Sequence, residues 1–234
     1  MSSRFVMFGP SHLAAIAVTL LVPLALAALA RWEHPGRRAD RIVRIALAVL
    51  MLAGWATWYA VSASRGELSL GNALPLNLCD WAMAALIVAL LTRHPFAYEL
   101  GYFWGLGGTL QGVITPPIYW DFPHSQFLFF FIQHSGIIAA LLYLTLGSGL
   151  RPWPGSLPRV IGATLAYAAI TGLFDWLLGV NYAFLREKPL TASLLDLMSP
   201  WPWYIPQLVL MGVVFILVYY APFAVADWVR ARKT

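Results

Sequence analysis

The stretch Leu13-Ala-Ala-Ile-Ala-Val-Thr-Leu-Leu-Val-Pro-Leu-Ala-Leu-Ala-Ala-Leu-Ala30 contains no charge, and Arg31, Arg37, Arg38, Arg41 and Arg44 follow it closely. A hydrocarbon core of about 30 Å takes roughly 20 apolar residues at about 1.5 Å each, so this stretch is long enough to cross a bilayer as one helix. Its last residues, Ala28-Leu29-Ala30, resemble a small-residue cleavage site. The basic cluster behind them argues against cleavage and export, because such clusters normally stay in the cytoplasm. The stretch reads as a retained span whose amino end lies outside.

The same reading extends along the chain. Segments 42–60, 74–91, 98–114, 127–146, 160–180 and 203–223 join 13–30 as expected spans, for a bundle of about seven transmembrane helices. The fourth is the weakest: Gly101, Gly105, Gly107, Gly108 and Gly112 lower helix propensity, while allowing a neighbouring helix to approach closely. Composition agrees, since 60% of the 234 residues are hydrophobic and 11% charged, against about 25% charged in an ordinary soluble domain. The expected fold is all-α, a polytopic membrane protein forming a single integral membrane domain over 1–234. With the amino terminus outside and the carboxyl terminus cytoplasmic, eleven Arg and Lys fall in cytoplasmic segments and four outside. The expected location is the inner (plasma) membrane. The net charge of +5 sits in short clusters beside apolar segments, as an anionic leaflet favours, and forms no stripe suited to nucleic acid.

This orientation assigns the polar residues a depth. Asn77, Cys79 and Asp80 begin the third span, Thr109 and Gln111 end the fourth, and Gln133 and His134 lie in the first turns of the fifth. Asp175 and Asn181 end the sixth, and Tyr204 begins the seventh. All fall in the outer half, whereas the cytoplasmic half of most spans reads as Leu, Ala, Ile and Val. The pattern predicts a polar pocket towards the outer leaflet.

Cys79 is the single cysteine, which excludes an internal disulfide and any paired-cysteine metal motif. A thiol needs a base to become a nucleophile, and imidazole is a suitable one, so Cys79 and His134 form the sharpest pair. Taken alone, Cys79 reads equally as a small buried hydrophobe and His134 as a hydrogen-bonded core histidine. Asp80 or Asp175 would orient the imidazole, and Asn77, Thr109, Gln111 and Gln133 would hold an oxyanion or simply join helices. His12 and His124 read as solvated rim residues. Together with His134 and Asp175 they supply the ligand types of a zinc hydrolase, but no paired histidine motif is present, and no metal or other cofactor is expected.

Longer motifs carry a resemblance. Leu74-Pro-Leu-Asn-Leu-Cys-Asp-Trp81, Tyr102-Phe-Trp-Gly-Leu-Gly-Gly-Thr-Leu-Gln111, Phe122-Pro-His124, Phe131-Ile-Gln-His-Ser-Gly136, Asn181-Tyr-Ala-Phe-Leu185 and Thr191-Ala-Ser-Leu-Leu-Asp196 through Trp201-Pro-Trp-Tyr204 are similar to the bacterial YwaF family. That family is related to the animal transmembrane protein 164 family. The animal relatives are lipid acyltransferases using a cysteine nucleophile and a histidine within membrane helices. The resemblance implies these roles for Cys79 and His134, acting on membrane lipids with a lysophospholipid acceptor or with water. The rival expectation is a non-enzymatic transporter or receptor whose outer pocket binds a small molecule.

Overall fold

The computed structural model describes residues 3–32, 37–190 and 193–232. His34, the Pro35-Gly36 turn, Thr191-Ala192 and Lys233 lie outside the described residues, as do the side chains of Arg31 and Arg37. Among the described residues the regular structure is helical, with an isolated bridge between Arg4 and Trp120 and no strand. In chain order the helices are α1 (Pro10–Trp32), α2 (Arg37–Ser64), α3 (Leu78–Thr92), α4 (Pro95–Trp104), α5 (Leu110–Ile114), α6 (Ser125–Leu142), α7 (Ser156–Leu178) and α8 (Tyr204–Ala231). π-Helical turns at Gly105–Thr109 and Tyr143–Gly147 join α4 to α5 and extend α6.

All seven expected segments are helical, but they are not equal. α1, α2, the extended α6, α7 and α8 are long and apolar enough to cross a bilayer. α3 has only 15 residues, or about 22 Å of helix. It starts at Leu78 rather than near residue 74 because Asn77 is extended (φ −72°, ψ 151°) and caps the helix, with Asp80 three positions on completing the box. Cys79 therefore sits in the first turn of a helix and not a full turn or more inside one. α3 ends on Arg93 in the left-handed conformation (φ 59°, ψ 24°), and His94 caps α4 by accepting from the Ala97 N–H, with Pro95 at its first position. The short spacing makes α3 and α4 a tight helical hairpin.

Gly101, Gly105, Gly108 and Gly112 of the fourth segment act through packing, as expected, whereas Gly107 faces open space. A Cβ on Gly101 would stand 2.4 Å from Leu86 Cγ, and one on Gly105 would stand 2.7 Å from Leu141 Cδ2. Helices close enough to exclude a methyl group gain dispersion contacts that offset the weak propensity of glycine.

The chain divides into two compact units, Met1–Leu150 and Arg151–Thr234. In the first, α1 and α2 both pack on α6, and α3 packs on α2, α4 and α6. The first unit also carries buried charge at the end of α3 opposite Cys79. Asp40 accepts from Arg44 at 2.9 Å, from Arg93 at 3.2 Å and from the Ser148 hydroxyl, while Tyr143 lies 3.5 Å away. Arg44 itself is buried and donates to the Leu90 carbonyl, and Glu99 of α4 is 1% exposed. Asp40 and Arg44 stand four apart on α2, a local i,i+4 pair, whereas Arg93 and Ser148 reach Asp40 only because separate segments pack together.

In the second unit α7 ends where Gly179 turns left-handed (φ 69°). α8 is tied to the segment before α7 by a two-pronged ion pair, Arg151 to Asp227 at 2.7 and 2.5 Å, with the guanidinium 4.4 Å from the centre of the Trp153 ring.

Candidate active site

The first turn of α3 and the middle of α6 are joined by one side-chain hydrogen bond. Gln133 donates its amide to Asp80 Oδ1 at 3.2 Å, and Asp80 Oδ2 accepts from the Asn77 N–H at 3.2 Å. The neighbours of these two residues in sequence are His134 and Cys79. Asn77, Cys79, Asp80, Gln133 and His134 all line one cavity of about 270 Å³, whose wall also includes Trp55, Trp58 and Tyr59 of α2 and Phe129 and Phe130 of α6. Cys79 is a free thiol, and residues 55 positions apart in sequence are brought to one space.

The imidazole is held by its own helix. Nδ1 of His134 lies 2.8 Å from the carbonyl oxygen of Phe130, and the two rings stack with centroids 3.9 Å apart. A carbonyl can only accept, so Nδ1 carries the proton and the neutral ring presents Nε2 with its lone pair. The orienting partner is thus a backbone oxygen one turn earlier and not Asp80 or Asp175. Among the described residues Nε2 makes no hydrogen bond. That edge of the ring lies against Gly112, where a Cβ would be 3.3 Å from Cδ2 and 3.5 Å from Nε2.

One face of the α4–α5 run locks this geometry. Gly108 and Gly112 are four positions apart; a Cβ on Gly108 would meet Leu78 Cδ2 at 2.9 Å, beside Cys79, and Gly112 meets His134. Thr109, in the π turn, is buried with a hydroxyl that finds no partner among the described residues. π turns insert an extra residue and recur at functional sites. Thr109 and Gln111 do not line the cavity. The groups at hand for negative charge are Asn77, Gln133 and the amino end of α3, whose helix polarity favours an anion.

The other candidate residues have different neighbours. Asp175, Asn181 and Tyr204 belong to the second unit. Asp175 is buried, with Oδ1 accepting from the Tyr182 N–H at 2.8 Å and Oδ2 without a partner. Asn181 accepts from the Arg186 and Glu187 N–H groups and donates to the Glu187 carbonyl, and Tyr204 donates to the Phe184 carbonyl at 2.5 Å. Together they shape the loop that follows α7.

His12 corrects the rim reading. It is fully buried, its Nδ1 accepts from the Phe8 N–H at 2.9 Å and its Nε2 donates to the Val113 carbonyl at 2.9 Å, so both nitrogens are committed. His124 caps α6 by accepting from the Gln126 N–H. Among the described residues no three His, Cys, Asp or Glu side chains gather as a metal site.

Phe130, Trp55 and Trp58 carry no site expectation from the sequence, and Gly112 is expected there only as a packing glycine. Phe130 carried a usable signal, since it precedes His134 by four residues on a helix and so must stack beneath it.

An apolar helical protein whose polar cavity is lined by a thiol outside any disulfide and, among the described residues, an imidazole with a nitrogen that makes no hydrogen bond is a polytopic membrane protein with a half-buried candidate reaction site. The TMEM164 family model matches residues 7–220, and the chain belongs to the TMEM164 family. It is also similar to an uncharacterized protein of Treponema pallidum (strain Nichols), 28% identical over 228 residues that cover 94% of this chain and 90% of that protein. No solved structure matches.

Proposed function

We propose that this protein is a membrane-embedded lipid acyltransferase or hydrolase with Cys79 as nucleophile and His134 as general base. The observation that carries the reading is the Asp80–Gln133 hydrogen bond, which ties together the residues flanking Cys79 and His134 at a cavity both of them line. Family membership is compatible with this chemistry.

The reaction balances with these two groups. His134 Nε2 takes the Sγ proton, and the thiolate attacks the carbonyl carbon of an acyl ester. The C–O bond breaks, the imidazolium returns its proton to the leaving alkoxide, and a thioester remains on Cys79. In the second half His134 deprotonates a lysophospholipid hydroxyl or water, which attacks the thioester; the C–S bond breaks, and the imidazolium returns its proton to the Cys79 thiolate. No hydrogen bond joins Sγ and Nε2 in the free protein, so the pair closes, or is bridged by water, once substrate fills the cavity. Gln133, Asn77 and the amino end of α3 stabilise the oxyanion, while stacked Phe130 and its carbonyl keep the ring in one tautomer.

The excess of basic residues in cytoplasmic segments supports an amino terminus outside, with the cavity towards the outer leaflet of the plasma membrane. The test is acyl exchange between labelled phospholipid and lysophospholipid in proteoliposomes. Cys79→Ala should abolish it and His134→Ala should lower it by about 10²–10⁴-fold. Full activity in either variant refutes the mechanism.

A further inference from the structure

The second unit holds a carboxylate and a hydroxyl whose oxygens are buried without a partner. Thr171 and Asp175 are both 0% exposed, and among the described residues neither Thr171 Oγ1 nor Asp175 Oδ2 makes a hydrogen bond. They stand four residues apart on α7, so the two side chains lie one turn apart on the same face, with about 5–6 Å between Cβ atoms. A threonine within a helix commonly donates to the carbonyl one turn back, as Thr164 does to Val160 at 2.8 Å on this same helix. The Thr171 hydroxyl does not, and it stays available to a ligand shared with the carboxylate.

The carboxylate also lacks a counter-charge. Arg186 donates through Nη1 to the backbone carbonyls of Asp175 at 3.2 Å and Val180 at 3.4 Å, and Lys188 donates to the Met198 carbonyl at 2.7 Å. Both basic residues of this loop thus serve main-chain oxygens, and among the described residues no ion pair includes Asp175. The other carboxylate oxygen, Oδ1, receives only the neutral Tyr182 N–H. A water would satisfy the hydrogen bonds of the two orphan oxygens but not the charge, whereas a cation binds both oxygens and neutralises the carboxylate. Asp175 lies three residues before the last residue of α7, where the negative end of the helix dipole adds attraction for positive charge.

A carboxylate and a hydroxyl are hard oxygen ligands, suited to alkali or alkaline-earth cations and not to soft metals. Calcium takes six to eight oxygens, several of them carboxylate, and among the described residues no three His, Cys, Asp or Glu side chains gather. One carboxylate, with the Arg186 guanidinium already near it, balances a single further positive charge. We propose that Thr171 Oγ1 and Asp175 Oδ2 bind a small monovalent cation, of the charge and size of sodium, near the carboxyl end of α7. Because Oδ1 of the same carboxylate holds the Tyr182 N–H, the cation fixes the loop that follows α7 as well as the helix. The inference does not depend on the acyl-transfer reading, since Thr171 and Asp175 belong to the second unit and Cys79 and His134 to the first.

The test is thermal unfolding of the full-length protein in detergent at constant ionic strength, with choline chloride replaced stepwise by sodium, potassium or calcium chloride, together with direct binding of radioactive sodium. Sodium should raise the midpoint saturably, by about 3–6 °C at ten times its dissociation constant, and potassium and calcium should raise it less. Asp175→Asn and Thr171→Val should each weaken sodium binding about tenfold or more and remove most of the rise, while Cys79→Ala should keep both. Thr171→Val retains the shape of threonine and removes an orphan hydroxyl, so its midpoint in choline should equal or exceed the native one, which keeps the test readable where Asp175→Asn fails to fold. Equal native midpoints in sodium and choline, or undiminished sodium binding in Thr171→Val, overturn the site and leave a bound water in its place. Potassium or calcium matching sodium overturns the assignment to a small monovalent cation.

Discussion

The two ends of the first unit use polar residues in opposite ways. At the Asp40 end one carboxylate gathers Arg44, Arg93 and Ser148, Arg93 donates further to the Ser148 carbonyl at 3.0 Å, and Arg44 reaches the Leu90 carbonyl. Charge there is matched by charge, and α2, the end of α3 and the end of α6 are bound into one frame. At the Cys79 end, Asp80 and Gln133 pair with each other, but the thiol beside one and the Nε2 beside the other have no such partner. Ionisable groups inside a membrane are costly. Where they are satisfied they hold helices together, and where they are left uncommitted beside a cavity they are available for chemistry.

Substitutions at the two ends should therefore separate activity from stability. The largest effect on activity is His134→Ala, which should remove about 10²–10⁴ of acyl exchange while the thermal midpoint of unfolding in detergent changes little. Asp40→Ala should do the reverse. It strands the buried Arg44 and should cost about 3–5 kcal/mol, seen as a large fall in thermal midpoint, with the rate per folded molecule retained. Equal damage to both readouts in both variants would dissolve the contrast.

Three smaller changes sharpen it. Asp80→Ala removes the helix-start box and the Gln133 link together and should cost about 1–2 kcal/mol of stability as well as activity. Gly112→Ala places a methyl 3.3 Å from the imidazole and should cut acyl exchange about tenfold with the fold intact, because the ring must shift. Gly107→Ala on the same helical run meets open space and should be neutral or stabilising by about 0.5–1 kcal/mol. If Gly107→Ala and Gly112→Ala reduce activity equally, the run acts through general helix packing and not through His134.

How much of this was readable in the chain depends on the range of the interaction concerned. The spans are local properties of composition and length, so 13–30 and its six companions emerge as helices with their order intact. Cys79 and His134 stand out through residue chemistry and the quoted motifs. Their shared cavity does not, since it depends on Gly108 meeting Leu78 and Gly112 meeting His134 across separate helices. Asp80 was expected to orient the imidazole; in the structure it caps its helix and holds Gln133, while the Phe130 carbonyl orients the ring. His12 illustrates the same limit. Its position near the start of α1 suggests solvent, yet Phe5, Phe8 and Phe131 close around it and both its nitrogens find backbone partners.

Hydrophobic run length and functional-group chemistry belong to individual segments, so the apolar helices, and the candidates Cys79 and His134, can be read along the chain. Which of those side chains line one cavity depends on how separate helices pack. Polar groups buried by packing take whichever partners neighbouring helices present, and at one end of the first unit that choice produced an ionic clamp, while at the other it left a thiol and a ring nitrogen facing a cavity.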